Sequence, residues 1–163
     1  MVIRGNNGPR NCQSGVTLIE LLIVLAVLAT LMGIAAAGYR SYRTTTQIDA
    51  AKREIIQIAS LLERYHLVTS DWPDTLADVG IGDKLDPWGN KYRYARIPSL
   101  VGNIAMSGSA IRQDPKLKTI NTFYDLYSMG EDGKTMNNIS VPVSHDDVIR
   151  ARDGQYIGLA KDY

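Results

Sequence analysis

The apolar segment from Val16 to Gly38 places the strongest constraint on this chain. It holds 23 residues, and its only strongly polar member is Glu20. As a helix rising 1.5 Å per residue it would be about 35 Å long, which is enough to cross a bilayer. A carboxylate in such a segment is costly and marks a functional position. The sequence therefore predicts a membrane helix whose acidic residue has a specific partner.

Two simpler interpretations compete for this segment. One is an ordinary signal anchor, and the other is a secretory signal peptide that is removed after the three alanines at 35–37. The apolar run is longer than the ~7–15 residues of a signal-peptide core. Neither interpretation explains Glu20, or why the run starts abruptly after Gly15. The polar stretch 1–14 carries two arginines and is interpreted as a targeting leader with a cytoplasmic N-terminus.

Downstream of the apolar segment, the helical pattern continues in amphipathic form. Apolar residues recur there at spacings of three and four, and charged residues fall between them. Because no proline lies between Val16 and Tyr65, we expect one continuous helix of about fifty residues, with a membrane half and an amphipathic half. The apolar stripe, which we expect to pack on the domain that follows, consists of Ile48, Ala51, Ile55, Ile58, Leu62 and Tyr65.

The remaining chain predicts a small sheet. A connecting loop is expected over 66–90, with a short hydrophobic anchor near Leu76. The segment 98–122 is rich in glycine, serine and asparagine and is expected to be a long loop, with at most one weak strand near 104–106. Together these patterns give an α+β fold, in which a long N-terminal helix packs on a small antiparallel sheet. The expected strands cover residues 91–97, 123–128 and 155–157.

Composition argues against several functions. The net charge is +1 and no basic run is present, so nothing points to nucleic acid as a partner. The histidines, His66 and His145, lie in no catalytic pattern, and the chain has no nucleophile elbow, phosphate-binding loop or zinc-ligand spacing. We therefore expect no enzymatic activity. The single cysteine, Cys12, allows no intrachain disulfide, so a small extracytoplasmic domain would need another device to hold its loops, such as a metal.

The heptapeptide from Gly15 to Leu21 reads Gly-Val-Thr-Leu-Ile-Glu-Leu and runs directly into the apolar segment. It resembles the class III signal of type IV pilins and of type II secretion pseudopilins, although Val16 stands where that family usually has phenylalanine. The resemblance implies that prepilin peptidase cleaves between Gly15 and Val16 and that Val16 is then N-methylated. It further implies that Glu20, one helical turn away, pairs with the new amine of an adjacent subunit, so that copies assemble into a filament.

Two stretches of the C-terminal part narrow the resemblance. Residues 86–94 read Asp-Pro-Trp-Gly-Asn-Lys-Tyr-Arg-Tyr, and residues 124–133 read Tyr-Asp-Leu-Tyr-Ser-Met-Gly-Glu-Asp-Gly. Both are similar to the major pseudopilin of type II secretion, whose C-terminal loop holds calcium in place of a disulfide. The calcium ligands that the resemblance implies are Asp132, Asp146, Asp147, Asn137 and the backbone oxygens of Met129 and Lys134. For Asp147 and Asn137, the alternative to a metal site is a solvated acidic loop.

These resemblances predict a structural subunit of a type II secretion pseudopilus, a periplasmic fibre that drives protein export across the outer membrane. They imply an inner-membrane, single-pass protein whose partners are copies of itself, prepilin peptidase, minor pseudopilins and an inner-membrane assembly platform. A type IV pilus subunit, for adhesion, motility or DNA uptake, is the alternative. A signal-anchored envelope binding protein or enzyme is a further one.

The predicted organisation has three parts: a leader over 1–15, a membrane and assembly helix over 16–38, and a periplasmic domain over 39–163 that includes the amphipathic half of the helix. Two segments depart from the resemblance. The segment 98–122 is longer than it implies, and 150–163 has no counterpart in it.

Overall fold

The computed structural model describes residues 16–97, 111–116 and 118–163. Within these residues the chain divides into two compact units, one ending at Ser41 and one covering Tyr42–Tyr163. The regular elements are one long helix and four strands: α1 (Leu18–Thr69), β1 (Arg93–Arg96), β2 (Tyr124–Ser128), β3 (Val148–Ala151) and β4 (Tyr156–Leu159). Short 3-10 helices lie at Leu76–Val79, Pro142–Ser144, Arg152–Gly154 and Ala160–Asp162.

Helix α1 has 52 residues, which confirms the prediction of one continuous helix. The hydroxyl of Thr17 accepts a hydrogen bond from the Glu20 N–H at 3.2 Å and so caps the first turn. At the other end, Ser70 adopts a left-handed conformation with a φ of 61°. The helix therefore ends at Thr69, and the prediction that a connecting loop starts at residue 66 is wrong. The predicted anchor inside that loop is the 3-10 helix at Leu76–Val79.

The first unit is an exposed apolar helix. Every side chain from Val16 to Ser41 whose burial is described is exposed, including Leu21 at 55% and Ile34 at 75%. By length and composition this helix suffices to cross a membrane, and none of its most apolar window is buried. A helix that is apolar on all sides is stable only when lipid or other protein chains cover it. This unit therefore needs a partner.

The amphipathic half of α1 packs on the sheet, as the apolar stripe predicts. Ala51, Ile55, Ile58 and Leu62 are at most 1% exposed. Ile48 and Tyr65, at the two ends of the stripe, are half-buried. The buried members of the stripe share one hydrophobic cluster with Tyr92, Tyr124, Leu126 and Val148 from the sheet side.

The sheet is antiparallel throughout, with the strands in the order β1-β2-β3-β4, and it confirms the predicted α+β fold. All five residues of β2 are buried. Tyr124 and Leu126 belong to the cluster that contains α1, whereas Tyr127 belongs to a second cluster with Ile149 and Ile139. Because successive strand residues point to opposite faces, β2 has both faces covered.

The predicted set of strands was incomplete because it lacked β3. The sequence Val-Ile-Arg-Ala of β3 is buried at all four positions, so it shows no apolar–polar alternation. It also contains Arg150, whose guanidinium lies 4.3 Å from the centre of the Tyr124 ring instead of in solvent. The strand predicted over 155–157 is β4. The weak strand predicted near 104–106 lies outside the described residues.

Ile55→Ala and Ile56→Ala test the packing of α1 with a matched pair. Ile55 is fully buried against the sheet and Ile56 is 51% exposed, although they are neighbours on one helix. We expect Ile55→Ala to lower the free energy of unfolding of the second unit by about 2–5 kcal/mol, and Ile56→Ala by about 1 kcal/mol or less. Urea unfolding of the full chain in detergent measures both. Equal losses would contradict the packing.

Candidate functional site

The N-terminus of α1 presents Glu20 as an exposed carboxylate in the first helical turn. The sequence from Thr17 to Glu20 has the Thr-x-x-Glu spacing of a capping box, and the Thr17 hydroxyl supplies the cap. A carboxylate here is favoured by the partial positive charge at the helix N-terminus. Val16, four residues before Glu20, is 73% exposed. Gly15, the other residue of the predicted cleavage site, lies outside the described residues.

Exposure of the apolar unit determines what the first part of α1 can do. Apolar surface of this extent in a folded chain marks a membrane or protein contact. A single polar group within that surface is stabilised only by a complementary group on whatever covers it. The helix is thus suited to lie in lipid or to pack against further apolar helices.

In the second unit, the two sequence motifs contact each other. Asp86 Oδ1 accepts hydrogen bonds from the N–H groups of Trp88 at 3.0 Å and Asn90 at 2.8 Å. Its Oδ2 accepts a hydrogen bond from the Ser128 hydroxyl at 2.5 Å, and Asp86 is only 6% exposed. The Asn90 amide in turn donates to the Gly130 carbonyl at 3.0 Å. The turn at 86–90, which ends the connecting loop, is therefore joined by hydrogen bonds to the end of β2.

Two glycines let the chain after β2 fit against these partners. Gly130 and Gly133 both have a φ of 65°. A Cβ on Gly130 would lie 2.6 Å from Asp146 Oδ2, and one on Gly133 would lie 3.0 Å from Asn90 Oδ1. Side chains at either position would be strained by the backbone conformation and blocked by neighbours. The motif residues thus have a structural role in shaping the C-terminal loop, which we define as residues 129–147.

The structure brings together two of the predicted calcium ligands. The Asp132 N–H donates to Asp146 Oδ2 at 3.1 Å, and Asp132 Oδ1 accepts from the Lys134 N–H at 2.7 Å. Asn137 uses its backbone carbonyl to accept the Gln113 N–H at 2.8 Å. Among the described residues, no three His, Cys, Asp or Glu side chains are grouped as metal ligands.

Asp147 lies elsewhere, in a buried ion pair. It is fully buried, and its Oδ2 accepts hydrogen bonds from the Arg112 guanidinium and from the Thr135 hydroxyl, the latter at 2.6 Å. Calcium takes six to eight oxygens, and a carboxylate already engaged by a protein cation supplies them poorly. Asp132 and Asp146 are left as the carboxylates on which the calcium prediction rests, and it stays a prediction.

Arg112 is the site residue that sequence reasoning missed. It is 1% exposed, and its guanidinium lies 4.3 Å from the centre of the Tyr127 ring. Nη1 donates to the Met136 carbonyl at 2.7 Å and to the Thr135 hydroxyl. The residue falls in the segment 98–122 that was interpreted as a long loop, where an arginine is expected in solvent. No local pattern marks it as buried.

A second buried carboxylate, Asp125 on β2, lies beside this pair. It is fully buried and accepts hydrogen bonds from the Arg112 N–H at 2.6 Å and the Asn121 amide at 2.7 Å. Burial raises the pKa of Asp125 to about 6, although these two hydrogen bonds and the nearby Arg112 and Arg150 charges act to lower it.

The chain matches known proteins at its N-terminus and along most of its length. The family described as "Prokaryotic N-terminal methylation motif" matches residues 10–36. A fimbrial protein of Pseudomonas aeruginosa is 38% identical over 116 residues, which cover 61% of this chain and 74% of that protein. The chain belongs to the type IV pilin-like family. Proteins of this family are structural and not enzymes, which confirms the expectation of no enzymatic activity.

Further relatives lie in both branches of this family. A fimbrial protein of Neisseria meningitidis serogroup A is 26% identical over 141 residues, covering 86% of this chain and 81% of that protein. Type II secretion system core protein G of P. aeruginosa is 29% identical over 146 residues, covering 77% of this chain and 88% of that protein. No solved structure matches the chain significantly.

Membership of this family sets the coarse biology of the pilin-like chain. Pilin-like subunits polymerise, and the methylation motif implies processing by prepilin peptidase. The apolar first part of α1 anchors the subunit in the inner membrane before assembly, with the C-terminal domain outside the cytoplasm.

Asp125→Asn tests the buried carboxylate through pH. The folded-state pKa lies above the value of 3.8 for an ordinary aspartate, so the contribution of Asp125 to stability is largest below about pH 4 and is lost as the pH rises through 6. From pH 4 to pH 7, we expect the wild-type free energy of unfolding to fall by roughly 2–3 kcal/mol more than that of the variant. Urea unfolding in detergent at both pH values measures this.

The control for this comparison is Asp162→Asn, since Asp162 is exposed. It should keep the wild-type pH dependence. A wild-type pH dependence in Asp125→Asn would show that Asp125 does not titrate in this range.

Proposed function

We propose that this chain is a structural subunit of a type IV pilus. The observation that carries the proposal is the 38% identity to a P. aeruginosa fimbrial protein, over 74% of that protein. The N. meningitidis relative, also a fimbrial protein, matches over 81% of its length. Sequence motifs alone favoured the secretion pseudopilus, with the pilus as the alternative. The relatives give that alternative the greater weight.

Assembly begins with removal of the leader after Gly15. The cut leaves an α-amino group on Val16, which is charged near neutral pH. That group and the Glu20 carboxylate are then the charged groups at the membrane-embedded end of a mostly apolar helix. In lipid, each is stabilised by an oppositely charged partner.

Pairing between copies satisfies both groups and repeats without closing. The Glu20 carboxylate of one subunit meets the Val16 amine of the next, and apolar side chains of the two helices pack alongside. Because the contact joins different surfaces of the two copies, each addition exposes the same surface again and a fibre grows. The second unit buries a core of its own.

The second candidate is the type II secretion pseudopilus. The specific observation in its favour is the relative named type II secretion system core protein G, which is covered over 88% of its length. The contacts among Asp86, Asn90, Ser128 and Gly130 give a structural reason for the motifs that the sequence shares with that branch. Both candidates use the same assembly helix and differ in what the filament does.

Glu20→Gln should separate assembly from membrane insertion. The variant removes the charge and keeps the shape, so insertion stays intact or improves while filaments are lost or greatly reduced. Sheared filaments and membrane-bound subunits, quantified by immunoblot, give the two readouts. Glu63→Gln is the matched control, because Glu63 lies exposed on the distal part of the same helix. Normal filaments from Glu20→Gln would refute the pairing.

Deletion of the gene distinguishes the two candidates. We expect deletion to remove surface filaments that extend beyond the cell envelope, seen by electron microscopy, without stopping the export of folded proteins. Loss of export with no change in surface filaments would favour the secretion pseudopilus.

The mature N-terminus tests the processing that both candidates share. Mass spectrometry of the wild-type subunit should find N-methylated Val16 as its first residue. A mature chain that starts at Met1 would contradict both candidates.

A further inference from the structure

The C-terminal loop, residues 129–147, poses a stability problem. It joins β2 to β3 without a helix or strand longer than the 3-10 helix at Pro142–Ser144. No cysteine lies beyond Cys12, so no disulfide closes it. An irregular stretch of this length loses much conformational entropy on ordering and needs specific contacts to compensate.

One side chain reaches the middle and the end of this loop together. The Arg112 guanidinium donates from Nη1 to Thr135 and to the Met136 carbonyl, in the middle of the loop. From Nη2 it donates to Asp147, the last residue of the loop. Its flat face covers the ring of Tyr127 on β2. A single cation therefore links three parts of the second unit.

The backbone around Arg112 is itself fixed. The Arg112 N–H donates to Asp125 Oδ2 on β2 at 2.6 Å. The next residue, Gln113, donates its N–H to the Asn137 carbonyl at 2.8 Å and accepts the Ile139 N–H at 3.0 Å. The short segment that carries Arg112 is thus joined to the sheet on one side and to the C-terminal loop on the other.

The donor geometry suits this role. Arginine presents five N–H donors in a rigid planar fork and keeps its charge at any physiological pH. In this loop the fork satisfies a carboxylate, a hydroxyl and a carbonyl, which are the oxygen types that a hard metal ion would otherwise collect. The pair is buried, with Arg112 at 1% and Asp147 at 0% exposure, so loss of one partner leaves a charge with no water to solvate it.

We propose that Arg112 is the built-in cation that closes the C-terminal loop, so that this loop folds without bound metal and without a disulfide. Its pairing with Asp147 occupies Oδ2 of that carboxylate, so this oxygen is not free to bind a metal. The proposal concerns the second unit alone and stands whichever filament the subunit builds.

Thermal unfolding of the full chain in detergent tests the proposal. We expect the wild-type melting temperature to be the same in millimolar calcium and in EGTA. Arg112→Gln should lower it by on the order of 10 °C, because the Asp147 charge is left buried and unpaired. Arg53→Gln, at an exposed position of α1, is the matched control and should change it by about 2 °C or less.

The double variant Arg112→Gln with Asp147→Asn shows whether the ion pair causes the loss. With both charges removed, we expect a melting temperature above that of Arg112→Gln alone. A double variant no more stable than Arg112→Gln would overturn the role of the pair. A calcium-dependent rise of several degrees in the wild type would also overturn the proposal and would support the calcium prediction instead.

Hydrogen exchange locates the effect even if Arg112→Gln does not fold. Arg112→Lys keeps the charge but loses the fork. We expect the amides of Gln113 and Ile139, which bond across the loop, to exchange at least tenfold faster in this variant. The amides of Ile55 and Ile58 in α1 should keep their wild-type rates. Unchanged exchange at Gln113 and Ile139, or an equal increase in α1, would contradict loop closure by Arg112.

Discussion

The second unit depends on covering a strand that is buried on both sides. Every residue of β2 is buried, so each face needs its own layer. The amphipathic half of α1 covers one face with aliphatic side chains at helical spacing. The other face is covered by irregular chain, whose backbone polar groups must also find partners. The hydrogen bonds of Arg112, Asp125 and Asn121 meet this requirement, because they give partners to polar groups where the irregular chain covers β2.

A structural element could be predicted from the sequence when the residues that determine it lie close together in the chain. The stripe from Ile48 to Leu62 shows its spacing within a few turns of one helix, so α1 and its buried face were predictable. The strand β2 was predictable from its tyrosines, because aromatic residues are enriched in strands. In contrast, β3 is buried at all four positions, and its Arg150 is placed by the ring of Tyr124, a residue distant in sequence. A pattern read along the chain does not contain that contact.

The same distinction between local and distant determinants applies to the residues of the candidate site. Glu20 stands out because the sequence around it is uniformly apolar. Asp132 and Asp146 were named from a resemblance, and the fold brings them together. Asp147 was named beside them, yet its carboxylate meets Arg112, thirty-five residues away in the chain. Asp146 lies in the turn before β3 and Asp147 directly precedes the strand, so these neighbouring aspartates need not share a ligand. Which one meets a cation is decided by the tertiary structure.

The cap of α1 has a consequence for maturation. The hydroxyl that starts the helix belongs to Thr17, which lies after the proposed cleavage site, and its hydrogen bond to the Glu20 N–H involves no residue of the proposed leader. With the proposed cut after Gly15, this cap would remain, and one residue, Val16, would precede it and carry the new amine. The proposed cut would therefore add a charge one residue ahead of the cap without removing the hydrogen bond that starts the helix.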